Sequence, residues 1–203
     1  MTKDFFEIVS ERASVRHYDS SVKLSKEEVT ELLEATGKTP SAWNLQHWKF
    51  MVFLNDEAKE RLLPISYNQK QVVEAGAVIA ILGDLEANKN TEIVYNPLVE
   101  AGYMTSEIKN TLAGQIESAY QNTVYARDAA FSNASLAAMT LMLAAKAKGY
   151  DTCAMGGFNV QQFIEEFQVS DRYIPVMLIS VGKALKPAHS SARLPVEQLS
   201  TWL

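Results

Sequence analysis

AVIAILGD, residues 77–84, runs for seven residues without a polar side chain before it reaches Asp84. A strand with one face in water alternates apolar and polar residues, so an unbroken apolar run requires cover on both faces. KFMVFL (49–54) and IPVMLISVGK (174–183) have the same character. Three buried strands predict a sheet with helices packed over it.

The stretch YARDAAFSNASLAAMTLMLAAKAKGY supplies one covering helix over about 128–148, with Gly149 as its stop. Leu136, Met139, Leu141, Met142 and Leu143 spread apolar surface around much of its circumference, which places it in the core or against another subunit. A second helix is predicted over 26–36. There Ser25 and Glu28 have capping-box spacing, Val29, Leu32 and Leu33 recur at helical intervals, and Gly37 and Pro40 follow. Residues 85–122 form an excursion in which NKNTEIVYNP reads as a loop and SEIKNTLAGQIESAYQ as a helix interrupted by Gly114. Its polar and aromatic residues suit a lid or substrate wall, and equally suit packing.

A length of 203 residues with 47% hydrophobic content fits one domain spanning 1–203. The net charge of -5, with no basic stripe, argues against nucleic acid as a partner. Cys153 is the only cysteine, which rules out an intrachain disulfide and suits a reducing compartment. It reads as a small buried side chain rather than a redox thiol. His17, His47 and His189 lack metal-ligand spacing, so no metal is expected. The opening MTKDFFEIVSERAS has no apolar core of the kind a secretory signal needs, and no apolar run is long enough to span a bilayer. These features predict a soluble cytoplasmic protein without a membrane partner.

RASVRHY (12–18) places Arg12, Ser14 and Arg16 at alternate positions. In an extended segment these three side chains leave one face, spaced roughly 6–7 Å per pair of residues. Guanidinium forks and a hydroxyl in that register suit an elongated phosphorylated ligand. They also suit a solvated edge following a short helix. Three other stretches carry comparable chemistry. TPSAWNLQHW (39–48) is crowded with amides and hydroxyls, CAMGGFN (153–159) lets backbone approach a flat ligand, and HSSARLP (189–195) brings a late arginine.

Taken in this order, Arg-x-Ser-x-Arg, Pro-Ser-x-x-Asn-x-Gln-x-Trp, the glycine turn and the late Arg-Leu-Pro resemble the nitroreductase family of FMN-dependent oxidoreductases, over nearly the whole chain. The resemblance implies an α+β fold, with a central, mainly antiparallel sheet flanked by helices in an intertwined homodimer. It implies an enzyme that carries hydride from NAD(P)H through FMN to a nitroaromatic, a quinone or a similar small-molecule acceptor by a ping-pong cycle. By the same resemblance Arg12 and Ser14, with Ala13 between them and Arg193 from the far end, hold the FMN phosphate. Arg16 is the cation that tunes the flavin at its pyrimidine edge. Pro40, Ser41, Ala42 and Asn44 reach the flavin from the partner subunit, and Gln46 belongs to the same motif. Asn68 and Gln71 match positions at the ring's polar edge, while Met155, Gly156 and Gly157 match the turn that approaches N5. No side chain is implied as nucleophile or general base, because FMN carries the chemistry.

Departures from the family pattern bear on these roles. His47 stands where proline is common, Gln71 where a lysine often occurs, and Ser191 where a second late cation can sit. Gly156 replaces an acidic residue found in some members. More charge therefore falls on Arg12, Arg16 and Arg193. Trp43, Tyr95, Tyr103 and Tyr120 are candidates for lining the pocket or for packing. The competing functions are a flavin-binding storage or sensing protein, and a family offshoot with another flavin reaction.

Overall fold

The computed structural model describes residues 4–203. Its sheet has four strands, β1 (Trp48–Phe53), β2 (Ala77–Asp84), β3 (Asp151–Met155) and β4 (Tyr173–Gly182), in the order β1-β2-β4-β3 with every pairing antiparallel. The helices are α1 (Phe5–Glu11), α2 (Lys26–Thr36), α3 (Asp56–Ile65), α4 (Gln71–Glu74), α5 (Thr91–Glu100), α6 (Ser106–Tyr120), α7 (Thr123–Ala147), α8 (Val160–Phe167) and α9 (Val196–Leu199). This is the α+β arrangement expected, with three of the strands where the apolar runs placed them.

β2 explains its own sequence. Val78, Ala80 and Leu82 enter one core with Leu62 and Ile65 of α3 and Phe163 of α8. Ala77, Ile79 and Ile81 enter the other with Val29 and Leu32 of α2 and Ala134, Ala138, Leu141 and Ala145 of α7. Strand side chains alternate between faces, and here both faces are dry, so no polar position is left. The alanines of α7 bring its backbone close to the sheet. A methyl group at Gly83 would lie 2.9 Å from the carbonyl oxygen of Ala130. Gly83→Ala should therefore overpack the α7–β2 contact and destabilise the protein by about 1–3 kcal/mol. Urea unfolding checks this as a lower midpoint at unchanged slope; an unchanged midpoint would mean that the helix yields without cost.

Two expectations need correction. NKNTEIVYNP is not a loop: it contains the end of a short 3-10 turn at Ala87–Asn90 and most of α5. Pro97 signals a break, but Tyr95 packs with Leu45, Ala87 and Ile116, and Leu98 joins them, so tertiary packing carries the helix through the proline. The edge strand β3 at Asp151–Met155, which no apolar run announces, leads into the glycine turn. The predicted helix 128–148 begins earlier, where Asn122 Oδ1 accepts the amides of Val124 and Tyr125, and ends at Ala147 before Gly149 turns left-handed at φ +78. Ser25 and Glu28 form the expected capping box of α2.

Apolar surface is left uncovered in three places. α1 buries none of its residues, with Phe6 81% exposed. The outer side of α7 exposes Leu136 and Met139, and the segment after β4 exposes Leu194, Val196, Leu199 and Trp202. Among the described residues no helix is long and apolar enough to cross a membrane, and no cluster of His, Cys, Asp or Glu could hold a metal ion.

Candidate functional site

Residues 12–18 are extended, as their alternation requires. Ser14 pairs with Thr152 in a parallel bridge, Val15 N donates to Thr152 O at 3.0 Å, and Leu185 N donates to His17 O at 2.9 Å. The segment therefore lies along the β3 edge. Val15 is buried in the core, while Arg12 and Ser14 are half-buried and Arg16 is exposed on the opposite side. Among the described residues none of Arg12, Arg16 and Arg193 has a carboxylate partner. Their charge is available to a ligand in a protein that is acidic as a whole.

Arg12 and Ala13 meet Arg193 on a cavity of about 560 Å³, which Val9, Ser191 and His189 also line. Arg193 Nη1 donates to Ser191 Oγ at 2.7 Å. Ser191 supplies no second cation, but it orients the one present. Cys153 lies beneath this edge. Burial pushes its thiol up, against the opposing influence of Arg16, Ser14 and Arg12, so it is a protonated core group rather than a thiolate.

The glycine turn is tied to α4 by amides. Gln69 Nε2 donates to Gly157 O at 2.7 Å and to Ser66 O at 3.0 Å, and Gln71 Nε2 donates to Gln69 Oε1 at 3.0 Å. Gln71 is buried, and both glycines are exposed. Gln69 was not among the predicted residues; the only signal for it was its place in YNQKQ. Tyr67 and Asn68 take φ of 54 and 56, the left-handed region that non-glycine residues enter at a cost. Met155 turns its side chain into the core, which leaves only its backbone to a ligand. Glu74 Oε2 accepts Tyr18 N at 3.3 Å, so the 12–18 edge touches α4, as the glycine turn does through Gln69 and Gln71.

Pro40, Ser41, Ala42, Asn44 and Gln46 lie elsewhere. They precede β1, at the edge of the sheet opposite β3. Three inter-strand gaps separate those edges, roughly 14 Å at the usual strand spacing. Pro40, Ala42, Asn44 and Gln46 are exposed, and Trp43, Asn44 and Gln46 have φ of 50, 54 and 53. Of the tyrosines, Tyr95 is buried with its hydroxyl on Trp43 O at 2.9 Å, and Tyr103 is exposed. Tyr120 lines a second cavity of about 540 Å³ with Leu85, Val124, Arg127 and Ile174.

This geometry offers a cationic clamp joined to an amide-edged, glycine-floored surface, which suits a phosphorylated ligand with a planar polar end. The family model described as the Nitroreductase family matches residues 9–183. YodC of Bacillus subtilis strain 168, provisionally named an NAD(P)H nitroreductase, is 64% identical over 97% of this chain and 98% of its own length. The CLA biosynthesis enone reductase of Lactiplantibacillus plantarum is 32% identical, over 94% of this chain and 91% of its own. A provisionally assigned nitroreductase from Exiguobacterium sibiricum, crystallised with FMN, superposes with a TM-score of 0.93 at 41% identity, over 99% of this chain and 98% of its own.

Proposed function

The chain belongs to the nitroreductase family, and we propose that it is an FMN-dependent oxidoreductase that takes hydride from NAD(P)H and delivers it to an organic acceptor. The meeting of Arg12 and Arg193 on one cavity, neither paired to a carboxylate among the described residues, carries this reading. Two guanidinium groups beside the hydroxyls of Ser10, Ser190 and Ser191 on one cavity fit a phosphate monoester, with Ser14 next along the edge, outside the cavity lining and bonded to Cys153, and the exposed turn at Gly156 and Gly157 fits a flat heterocycle.

When bound, FMN supplies the hydride chemistry. Arg12, Ser14 and Arg193 grip its phosphate. Arg16, two residues further along the same edge, sets a fixed positive charge beside the ring and favours the more anionic redox state. Gln71, held by Gln69, and Asn68 present amides to the ring's polar edge. The exposed backbone at Gly156 and Gly157 permits close approach, because no Cβ intervenes. Donor and acceptor occupy the open side in turn, which is a ping-pong cycle. Acceptors are planar and conjugated: nitroaromatics, quinones, or the enone class for which the Lactiplantibacillus relative is named. The excursion 85–122 packs against the 40–46 loop and would reach that side with it, from a second copy of the chain.

The loop at 40–46 completes the site from a second copy of the chain, since its own copy holds it at the far edge of the sheet. Uncovered apolar surface on α1, on α7 and along the segment after β4 supplies the drive for a homodimer. The single cysteine suits a reducing cytoplasm. Anaerobic titration of the purified protein with NADH and NADPH tests the function, with sedimentation run in parallel. The expected result is a dimer with bound FMN whose absorbance bleaches on addition of a nicotinamide donor. Bound flavin that neither donor reduces would favour storage or sensing, and a colourless chain that cannot be loaded would overturn the cofactor assignment.

A further inference from the structure

We infer that Tyr95, Asn90 and Asn133 are positioning residues that hold the Trp43–Gln46 loop in the left-handed backbone from which it meets FMN, an inference that rests on the cofactor reading above. Three non-glycine residues in this loop have φ between 50 and 54. Each such residue costs roughly 1–2 kcal/mol relative to ordinary backbone, so the loop relaxes unless its surroundings over-determine it.

Two restraints are its own, with Gln46 N donating to Ser41 Oγ at 2.9 Å and Gln46 Nε2 to Asn44 O at 3.2 Å, and three more come from side chains on other elements and act on the loop's backbone. Tyr95 Oη donates to Trp43 O at 2.9 Å. Asn90 Nδ2 donates to Leu45 O at 2.9 Å. Ala42 N donates to Asn133 Oδ1 at 2.9 Å, and Asn133 Nδ2 donates to Ala129 O at 2.8 Å, which fixes the orientation of that amide on α7. Asn90 is held in turn by Arg172 at 2.8 Å, and Arg172 makes a two-pronged pair with buried Asp84 at 2.8 and 2.6 Å. Leu45, fully buried against Tyr95, Ala87 and Ile116, pins the loop's apolar side.

None of these three hydrogen bonds uses the side chain of Ser41, Asn44 or Gln46. The backbone is gripped at 42, 43 and 45, and the polar side chains of Asn44 and Gln46 remain exposed. That division of labour suits presentation of the loop to a ligand. It also gives the excursion a role besides forming a wall, since α5 and the turn before it carry two of the three grips.

Hydrogen exchange on Tyr95→Phe and Asn90→Ala separates this role from general stability. The amides of Leu45 and Gln46, bonded to Ala42 O at 3.1 Å and Ser41 Oγ at 2.9 Å, report on the loop. Both variants should exchange these amides at least about five-fold faster while β2 amides keep their protection, as loss of a hydrogen bond worth about 1 kcal/mol requires. The FMN dissociation constant should rise by a similar factor. Unchanged loop exchange in both variants would overturn the clamp. Faster exchange with unaltered FMN affinity would overturn the loop's part in the site, while a wild-type protein that binds no FMN would sink the cofactor reading itself. A fall in melting temperature alone, with protection lost equally in β2, would show a purely structural role and refute the inference.

Discussion

Arg12→Ala should weaken FMN binding by about 1.5–3 kcal/mol, the usual worth of a charge-assisted hydrogen bond, or roughly 10- to 150-fold in the dissociation constant. Arg193→Ala should have an effect of the same size, because both arginines line one cavity and, among the described residues, no other Lys or Arg lines it. The double variant is the sharper measurement. Two residues that grip one phosphate are coupled: once either is gone the phosphate is held less firmly, and the two losses will not add. Flavin fluorescence titrations of the wild type, both single variants and the double variant close the cycle. Dissociation constants that stay put in both single variants would remove these residues from the phosphate clamp.

His47→Leu should change stability in acid far more than at neutral pH. His47 is fully buried, neither ring nitrogen has a hydrogen-bond partner, and its ring stacks on Tyr120 with centroids 6.4 Å apart. Burial lowers its pKa from the usual 6.5 to about 4, and nearby Asp84 opposes this only partly. The unfolded chain therefore binds a proton on this residue between pH 6.5 and 4 that the folded chain refuses. Stability from the neutral imidazole is complete above pH 6.5 and is lost as the pH falls toward 4. Leucine has no such proton. At pH 4.5 the variant should be more stable than the wild type by about 2–3 kcal/mol, with little difference at pH 7.5, since no hydrogen bond is surrendered. Urea midpoints across that range decide the matter, and parallel pH profiles for the two proteins would show that His47 is protonated in the fold.

Where the sequence states a physical requirement locally, the structure follows it. β2 had to be covered on both sides because it carries nothing polar before its last residue, Asp84. α2 had to start at Ser25 because the serine and Glu28 can satisfy each other's free backbone groups, and α7 had to stop where Gly149 could turn left-handed. β3 escaped because Thr152 is the only strand-favouring residue in Asp151–Met155; its neighbours β4 and the 12–18 edge supply the pairing. α5 escaped because the helical face of Tyr95 and Leu98 has meaning only once Leu45 and Ile116 are placed against it.

The candidate site shows the same division. The common face of Arg12, Ser14 and Arg16 was legible from register, since alternation in an extended segment needs no tertiary information, while the ligand roles assigned to them came from the family resemblance. The convergence of Arg12 with Arg193 and the placement of 40–46 at the far edge of the sheet depend on topology that no short motif contains. Nothing in YNQKQ distinguishes Gln69 from Gln71, yet Gln69 is the residue bonded to the glycine turn.

Arg12 and Arg193 stand near opposite ends of the 203-residue sequence, and a ribosome makes them in that order with the whole sheet between them. Residues 12–18 can settle beside β3 only after residue 155 has emerged, and their cavity lacks its second guanidinium until residue 193 is clear. If Arg12 and Arg193 grip the FMN phosphate as proposed, that grip is among the last features completed during synthesis, well after the interior has begun to condense. A nascent chain broken off behind β4 keeps every strand, because residues 189–203 bury no side chain, yet it loses half of that grip. Under that reading folding and cofactor retention separate, because the shortened chain keeps its sheet yet holds FMN less firmly.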